Sequence, residues 1–318
     1  MSAVDLSIVI VNYNTAHLLA EFFAAVDAGI GALSVQIIVI DNASRDGSVQ
    51  MIHQRYPQVE LVENGVNVGF GRANNQALSR ARGRNLLLLN TDAFVEAGGI
   101  ERSVRYLEEH PECAVLGARL IGRDGTQQPS CRCFPTPWSE FVVQTGLARF
   151  FAPARLVDET VMDHSSAREC DWVPGCYYLV RMAVVAELGL FDPRFFLYYE
   201  EVDHCRAVKS AGWRIMCYPQ STVVHIGGES ARSDFALTAA GQQISVLQIE
   251  SGLLYHRKHH GWIGLGLKVL LATLGDAMLA LKALVRQKRL GAVRPYGGHA
   301  IATWSLLMKT HWATQPTR

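Results

Sequence analysis

Asn85-Leu86-Leu87-Leu88-Leu89-Asn90-Thr91-Asp92 decides the fold: the most apolar strand of the chain runs straight into a polar turn that ends on a carboxylate. Working outward, Leu6–Val11, Val35–Ile40, Val59–Val62 and Ala114–Ile121 are further short aliphatic runs that read as strands. Between them, Ala16–Ala28, Gly47–Tyr56, Gly71–Arg82 and Ile100–Glu109 carry helical patterns. Strands alternating with helices over the first 121 residues predict an α/β fold with a doubly wound, mainly parallel sheet and right-handed crossovers. Such sheets bind ligands beyond the carboxyl ends of their strands. Asn12-Tyr13-Asn14, Asp41-Asn42-Ala43 and Asn90-Thr91-Asp92, which follow three of the strands, are therefore expected on one rim although far apart in sequence.

From about Arg123 to Asp171 the periodicity weakens, and Pro129, Pro135, Pro137 and Pro153 break it into loops and short helices. Order returns with Trp172–Arg181, a helix opening near Tyr199 and closing at Gly212, and a strand Ser221–His225 that ends in Gly227-Gly228. Beyond Gln242 the pattern is helical. The expected division is an α/β domain over 1–241, in halves 1–121 and 122–241, followed by a helical tail over 242–318.

The 318 residues, 49% of them hydrophobic and 19% charged, suffice for one large domain with an appendage and exclude a disordered chain. A net charge of +1 hides an asymmetry. Residues 1–254 hold 20 Lys/Arg against 28 Asp/Glu, a balance of −8, while 255–318 hold 10 against the single acid Asp276, a balance of +9. A basic tail rich in leucine fits an anionic lipid surface better than nucleic acid, and no nucleic-acid partner is expected. The seven cysteines are scattered and form no C-x-x-C pair, which reads as reduced thiols in a cytoplasm. Asp5 and an apolar run of only six residues make the N-terminus a buried strand, not a signal peptide. Gly69-Phe70-Gly71-Arg72-Ala73-Asn74 lacks the third glycine of a dinucleotide fingerprint and follows the third strand, and no P-loop pattern occurs, so an NAD enzyme and a P-loop kinase are excluded.

Asp92 sits where a hard divalent cation could take one carboxylate oxygen and keep positions open for a diphosphate, as Mg2+ or Mn2+ would. The plain alternative is a strand-end Asp that caps the next helix. Glu200-Glu201-Val202-Asp203 opens a helix, where the macrodipole stabilises carboxylates. Three acids in four residues also repel one another, which can raise the pKa of one and suit it to accept a proton. The alternative there is a solvated helix start.

Taken in order, DLSIVIVNYNTAHLL, IIVIDNASRDGS, NVGFGRANNQAL, LLLLNTDA, DWVPGCYYLVR, FDPRFFLYYEEVDHCRAVKSAGWRI and VVHIGGES resemble the family 2 inverting glycosyltransferases of the GT-A fold, closest to their rhamnosyltransferase-like branch. The resemblance covers roughly residues 5–232. It implies inverting transfer of a sugar, rhamnose among the candidates, from a UDP- or dTDP-sugar to a glycan or lipid-linked acceptor in cell-surface polysaccharide synthesis. It puts Asn90-Thr91-Asp92 at the family's D-x-D position, with Asn90 in place of the first acid, and so makes Asp92 the metal ligand. It assigns Asp41 to the uracil or thymine base, Arg72 to the nucleotide or its phosphates, and His225 to the metal. Glu201 takes the position of the family's Asp base, with Glu200 and Asp203 orienting the site or serving in its stead, and Trp172, Gly175 and Tyr177 line the sugar and acceptor pocket. Two rival readings stay open: a nucleotidyltransferase, which would carry a glycine-rich basic loop where strand one instead ends in Asn12-Tyr13-Asn14-Thr15, and a catalytically silent nucleotide-sugar- or glycan-binding protein.

In the tail, Lys268, Asp276 and Lys282 interrupt the apolar stretch Gly261–Val285, so a spanning helix is not expected. These three fall near one side of a helix and leave Leu267, Leu270, Leu271, Leu274, Met278 and Leu281 opposite, with Arg286, Lys288, Arg289 and Arg294 as a following basic cluster. The tail is expected either to lie on the anionic inner face of the cell membrane, making the protein cytoplasmic and peripheral, or to pack on the catalytic domain or a second subunit as a homo-oligomer.

Overall fold

The computed structural model describes residues 4–147, 150–151, 166–227, 242–287 and 298–318. In chain order the elements are β1 (Val4–Asn12), α1 (Ala16–Gly29), β2 (Val35–Asp41), α2 (Ser48–Arg55), β3 (Glu60–Glu63), α3 (Phe70–Gln76), β4 (Gly83–Leu89), β5 (Ala93–Val95), α4 (Gly99–Glu109), β6 (Cys113–Ile121) and β7 (Gln127–Gln128). There follow α5 (Pro137–Thr145), β8 (Arg168–Glu169), β9 (Tyr177–Arg181), α6 (Met182–Leu188), α7 (Glu200–Ser210), β10 (Arg214–His225), α8 (Gln242–Gln287) and α9 (Gly298–Lys309).

The described strands form one ten-stranded sheet in the order β3-β2-β1-β4-β9-β6-β10-β5, with β7 on β6 and β8 on β10. Its β3-β2-β1-β4 half is parallel throughout, as the alternating pattern predicts. The other half is mixed: β9 runs antiparallel to both β4 and β6, while β6 and β10 are parallel. Leu86, Leu87, Leu88 and Leu89 are all buried, as a strand covered on both faces requires. α1 supplies Leu19, Phe22, Phe23 and Val26 to the core on one of those faces. Gly83 starts β4 so close to β1 that a Cβ would stand 2.3 Å from the Ser7 nitrogen, so no other residue fits without moving the strand. α3 stops at Gln76, short of the expected Arg82. Side chains of β1 and β2 take over the backbone there: Gln36 donates to the Arg80 carbonyl, and the Arg82 N–H donates to Ser7 and Gln36.

The chain divides into two compact units. The first holds the ten strands with α1–α4, α6 and α7, and the second holds α5, the Arg194–Tyr199 segment, α8 and α9. The second unit thus gathers pieces from inside the 1–241 stretch, and the expected boundary at 241 and 242 falls at the edge of residues 228–241, outside the described residues.

Within the second unit two charges of the tail, Lys268 and Asp276, lie inside. Lys268 donates to Glu140 at 2.6 Å, His256 Nε2 lies 3.0 Å from the same carboxylate, and Tyr199 donates to its other oxygen at 2.5 Å. Burial pushes the Glu140 carboxyl up, but the charges and hydrogen bonds of Lys268 and His256 outweigh it and hold the group well below the ordinary carboxylate range. Asp276 accepts from Gln144 at 2.9 Å and from the Ala300 N–H at 2.8 Å, where its charge meets the positive end of α9. Lys268 and Asp276 therefore share one side of α8, but that side is the buried one; Lys282, expected with them, is exposed, and in the leucine face Leu270 and Leu274 are 53% and 49% exposed. Lys288, Arg289 and Arg294 of the expected basic cluster lie outside the described residues.

Candidate active site

Three strand-end turns meet at one rim of the sheet through side chains the sequence places there. Thr15 Oγ1 lies 2.7 Å from Asn12 Oδ1 and 2.9 Å from Thr91 Oγ1, which ties the turn after β1 to the turn after β4. Asn12 donates to Asp41 at 2.7 Å and to Ser44 at 3.0 Å, which ties in the turn after β2. Asn14 and Ala43, both non-glycine, take positive φ of 53° and 68° in these turns, a cost that native proteins concentrate at functional sites.

Asp41 is buried, and its second oxygen accepts from the Ser44 N–H at 2.9 Å. Asp46 holds the start of α2 through the Ser48 N–H, so Asp41 is spared that duty. It is not free, however: with two bonds accepted, a carboxylate keeps capacity for about two more. Asn42 holds the loop that leads to α3, accepting from the Val68 N–H at 3.0 Å and donating to Asn67 at 2.7 Å. Arg72, expected to reach the nucleotide, donates from Nε to the Pro193 carbonyl at 2.7 Å. Asn75 bonds both the N–H and the carbonyl of Phe191 and packs rather than binds.

The turn Asn90-Thr91-Asp92 closes with the Ala93 N–H on the Asn90 carbonyl at 3.1 Å, and the Asn90 N–H reaches Cys176. β5 then pairs antiparallel with the end of β10, with Ala93 opposite His225. That register brings His225 Nε2 to 3.7 Å from Asp92 Oδ1. His225 Nδ1 lies 3.0 Å from Gln128 Oε1, while Gln128 Nε2 donates to the His225 carbonyl at 2.8 Å. An amide oxygen only accepts, so Nδ1 carries the proton and Nε2 keeps its lone pair toward Asp92. Two ligands about 2.1 Å from one ion lie about 3 Å apart at a right angle and about 3.7 Å apart at ~120°, so this pair fits one divalent cation with positions left over. Among the described residues no group of three or more His, Cys, Asp or Glu is gathered as a metal site.

Glu200, Glu201 and Asp203 open α7, directly after Tyr198 and Tyr199 at φ of 72° and 70°. Glu200 and Asp203 are buried, and Glu201 has a buried Oε2 with no hydrogen-bond partner among the described residues. Burial raises the Glu201 carboxyl above its ordinary value, against the pull of the Arg132 charge and the Gly175 backbone. Arg132, which sequence reading passed over, stacks 5.0 Å above the Trp172 ring and is fixed by a backbone bridge to Trp172. A Cβ on Gly175 would stand 3.4 Å from Phe70 and 3.9 Å from the Glu201 Cβ, so the small residue lets the backbone pass close to Glu201. Cys176 connects the two halves of the site: its thiol, raised by burial, is raised further by both Asp92 and Glu201. Tyr177 departs from expectation. At 1% exposure it is a core residue, with its hydroxyl toward Ser103 and Ser221, and it offers no surface to an acceptor.

α7 is held in place by a buried histidine. Tyr178 donates to His204 Nδ1 at 2.7 Å, and His204 Nε2 donates to the Gly189 carbonyl at 3.0 Å. Burial depresses the His204 pKa to about 4, against the Gly189 bond and the Asp203 charge, so the ring is neutral.

Residues 7–152 match the family model described as glycosyl transferase family 2. The chain is 27% identical over 274 residues to an N-acetylglucosaminyl-diphospho-decaprenol L-rhamnosyltransferase of Mycobacterium tuberculosis, covering 81% of this chain and 86% of that one. It is 26% identical over 215 residues to rhamnosyltransferase WbbL of Escherichia coli K12, covering 63% and 76%. Among solved structures, the mannosyltransferase PcManGT from Pyrobaculum calidifontis, in complex with GDP-Man and Mn2+, shares the fold at a TM-score of 0.55 and 15% identity, over 98% of this chain and 88% of that one. S. aureus TarS 1-349 in complex with UDP gives 0.50 at 14% identity, over 96% and 91%. With the mixed sheet and its convergent rim, these likenesses make residues 7–152 a match to glycosyl transferase family 2 and show that the chain shares the GT-A fold and is similar to the family's rhamnosyltransferases.

Proposed function

We propose that this enzyme transfers a sugar, with inversion, from a UDP- or dTDP-sugar to a hydroxyl of a glycan or lipid-linked acceptor, with rhamnose as the candidate sugar, at the cytoplasmic side of the cell membrane. The observation that carries the reading is the Asp92–His225 pair, 3.7 Å apart, at the turn whose Asn90 N–H bonds the Cys176 carbonyl, with neighbouring Gly175 passing close to Glu201. It sets a carboxylate suited to a cation beside a carboxylate suited to a proton.

Asp41 accepts from the imide N–H of the pyrimidine base, and Asn90 and Arg72 flank the nucleotide. Asp92 and His225 hold Mg2+ or Mn2+, which would stabilise the charge of the departing diphosphate. Gln128 keeps the His225 lone pair directed at that position. Trp172 and Gly175 form the wall against which sugar and acceptor lie. Glu201 takes the acceptor proton as the acceptor oxygen forms its bond to the anomeric carbon and the bond to the diphosphate oxygen breaks on the opposite face. Glu200 and Asp203 orient the helix start and the acceptor. The nearby Arg132 charge favours the ionised form of Glu201 against its burial, as a base requires.

The test is incubation of the protein with Mn2+ or Mg2+ and a panel of nucleotide sugars, with released nucleoside diphosphate as the readout. Release from UDP- or dTDP-sugars that stops in excess EDTA is expected. Full turnover in EDTA, or turnover of GDP-sugars alone, refutes the metal or the base reading respectively.

A further inference from the structure

We propose that the outward face of α8 and α9 is a docking surface for an anionic lipid bilayer, with both helices lying in the plane of the membrane. The proposal stands apart from the transfer reaction, because it rests on the surface of the second unit alone and holds for any acceptor. α8 carries apolar residues on its outward side as well as on the buried side, where Leu265, Val269 and Ala272 lie. Its Lys268 and Asp276 are buried and bonded, while Trp262, Ile263, Leu267, Leu270, Leu274 and Leu281 are 57%, 80%, 46%, 53%, 49% and 61% exposed. From Ile263 on, these exposed residues recur at spacings of four, three, four and seven, so Ile263, Leu267, Leu270, Leu274 and Leu281 form one stripe along the helix. α9 repeats the pattern: Ile301, Trp304 and Met308 face out, while Ala300, Thr303 and Leu307 are buried.

The two stripes are one surface. Trp262 meets Trp312 edge-on at 6.4 Å between ring centroids, and the Trp304 indole donates to Thr273 at 3.1 Å. Exposed apolar side chains that run together over two helices, rather than scattered singly, mark a partner.

Charge decides which partner. From residue 255 onward the one acid is Asp276, and it is buried. Lys258, Lys282, Lys309 and His311 are exposed, and the Arg257 guanidinium lies 4.0 Å over the Trp262 ring. A second copy docking here would set this positive surface against itself, whereas anionic head groups complement it. Three of the chain's six tryptophans lie on the face, and indoles favour the head-group level. Val246–Val285 has the length and the mean hydropathy, 1.6, of a spanning helix, but two features favour lying over crossing. Gly261, at φ 62° and ψ −156°, breaks the helix just before the stripe, and Lys268 and Asp276 are bonded within the unit.

The test uses the full-length protein with vesicles of phosphatidylcholine, alone or doped with phosphatidylglycerol, at low and high salt. Co-sedimentation with the anionic vesicles, weakened by salt, is expected, along with quenching of tryptophan fluorescence by brominated lipid and release of the bound protein by alkaline carbonate. L270E/L274E replaces two side chains that already face water, so it should keep its circular dichroism and donor turnover while vesicle affinity falls at least about tenfold. Absence of binding to anionic vesicles at low salt overturns the proposal, as does binding that the folded double variant leaves intact. Resistance to carbonate would assign the helix to spanning instead. A dimer in vesicle-free solution that L270E/L274E dissociates, with no vesicle binding by either protein, would assign the face to a second copy.

Discussion

His204 offers a quantitative test of how the helix bearing the three acids is held. Its ring lies between Tyr178 and the Gly189 carbonyl, and its pKa is about 4 when folded against an ordinary value near 6.5. A lowered pKa means that, between those two values, the unfolded chain binds a proton that the folded chain refuses. Stability from this group is therefore complete above pH ~6.5 and is lost as pH falls toward 4, at about 1.4 kcal/mol per unit and about 3 kcal/mol in all. Between pH 7 and pH 5 the loss is about 2 kcal/mol. His299, also lowered by burial, adds a loss of the same sign, so wild type must be compared with His204→Gln, which can still accept from Tyr178 but does not titrate. Hydrogen exchange of β9 and α7 peptides, read at pH 7, 6 and 5 after correction for intrinsic rates, reports the unit that contains the residue. The stability advantage of wild type over the variant should shrink by about 2 kcal/mol across that range. An advantage independent of pH would show that His204 is not buried neutral between these partners.

Asp92→Ala should abolish metal-dependent tightening of nucleoside diphosphate binding in calorimetry, while Gln128→Leu, which leaves the His225 tautomer unfixed, should lower metal affinity about 10- to 100-fold without removing donor binding. Asp41→Ala should weaken UDP with or without metal, and equal affinity of the wild type for GDP and UDP would contradict a base-reading Asp41. Lys268→Met should cost about 3–5 kcal/mol in urea unfolding because it leaves the Glu140 charge buried without its lysine, held by His256 and the Tyr199 hydroxyl, whereas the double variant Lys268→Met/Glu140→Gln should recover part of that loss.

The parallel half of the sheet was legible in the sequence because each strand there is a local aliphatic run bounded by turns, and the convergence of its three polar turns followed from topology. The mixed half was less legible. β5 is three residues long and carries no period of its own, yet its antiparallel pairing with β10 is what brings His225 to Asp92. Gln128 and Arg132 lie in a segment that reads as irregular, and only the fold reveals that one fixes His225 and the other faces Glu201. Tyr177 and Trp172 look alike as pocket aromatics, but strand pairing with Leu89 turns Tyr177 into the core. In the tail, spacing put Lys268 and Asp276 on one side of α8, but Lys282, expected with them, is exposed beside Leu281, and which side faces water was not legible. That depended on Glu140, Gln144 and the start of α9, all distant in sequence, which pair with Lys268 and Asp276 inside the unit.

Glu201 gives the most direct test of the reaction itself. With the donor identified by nucleotide release, kcat and donor affinity should be measured for Glu201→Gln, Glu200→Gln and Asp203→Asn at several pH values. Glu201→Gln is expected to bind donor as wild type does and to lose about 10²–10⁴-fold in transfer rate, with the wild-type rate falling as pH drops through the raised pKa of Glu201. Near-wild-type transfer by Glu201→Gln, with the loss appearing in Glu200→Gln or Asp203→Asn, would contradict the account.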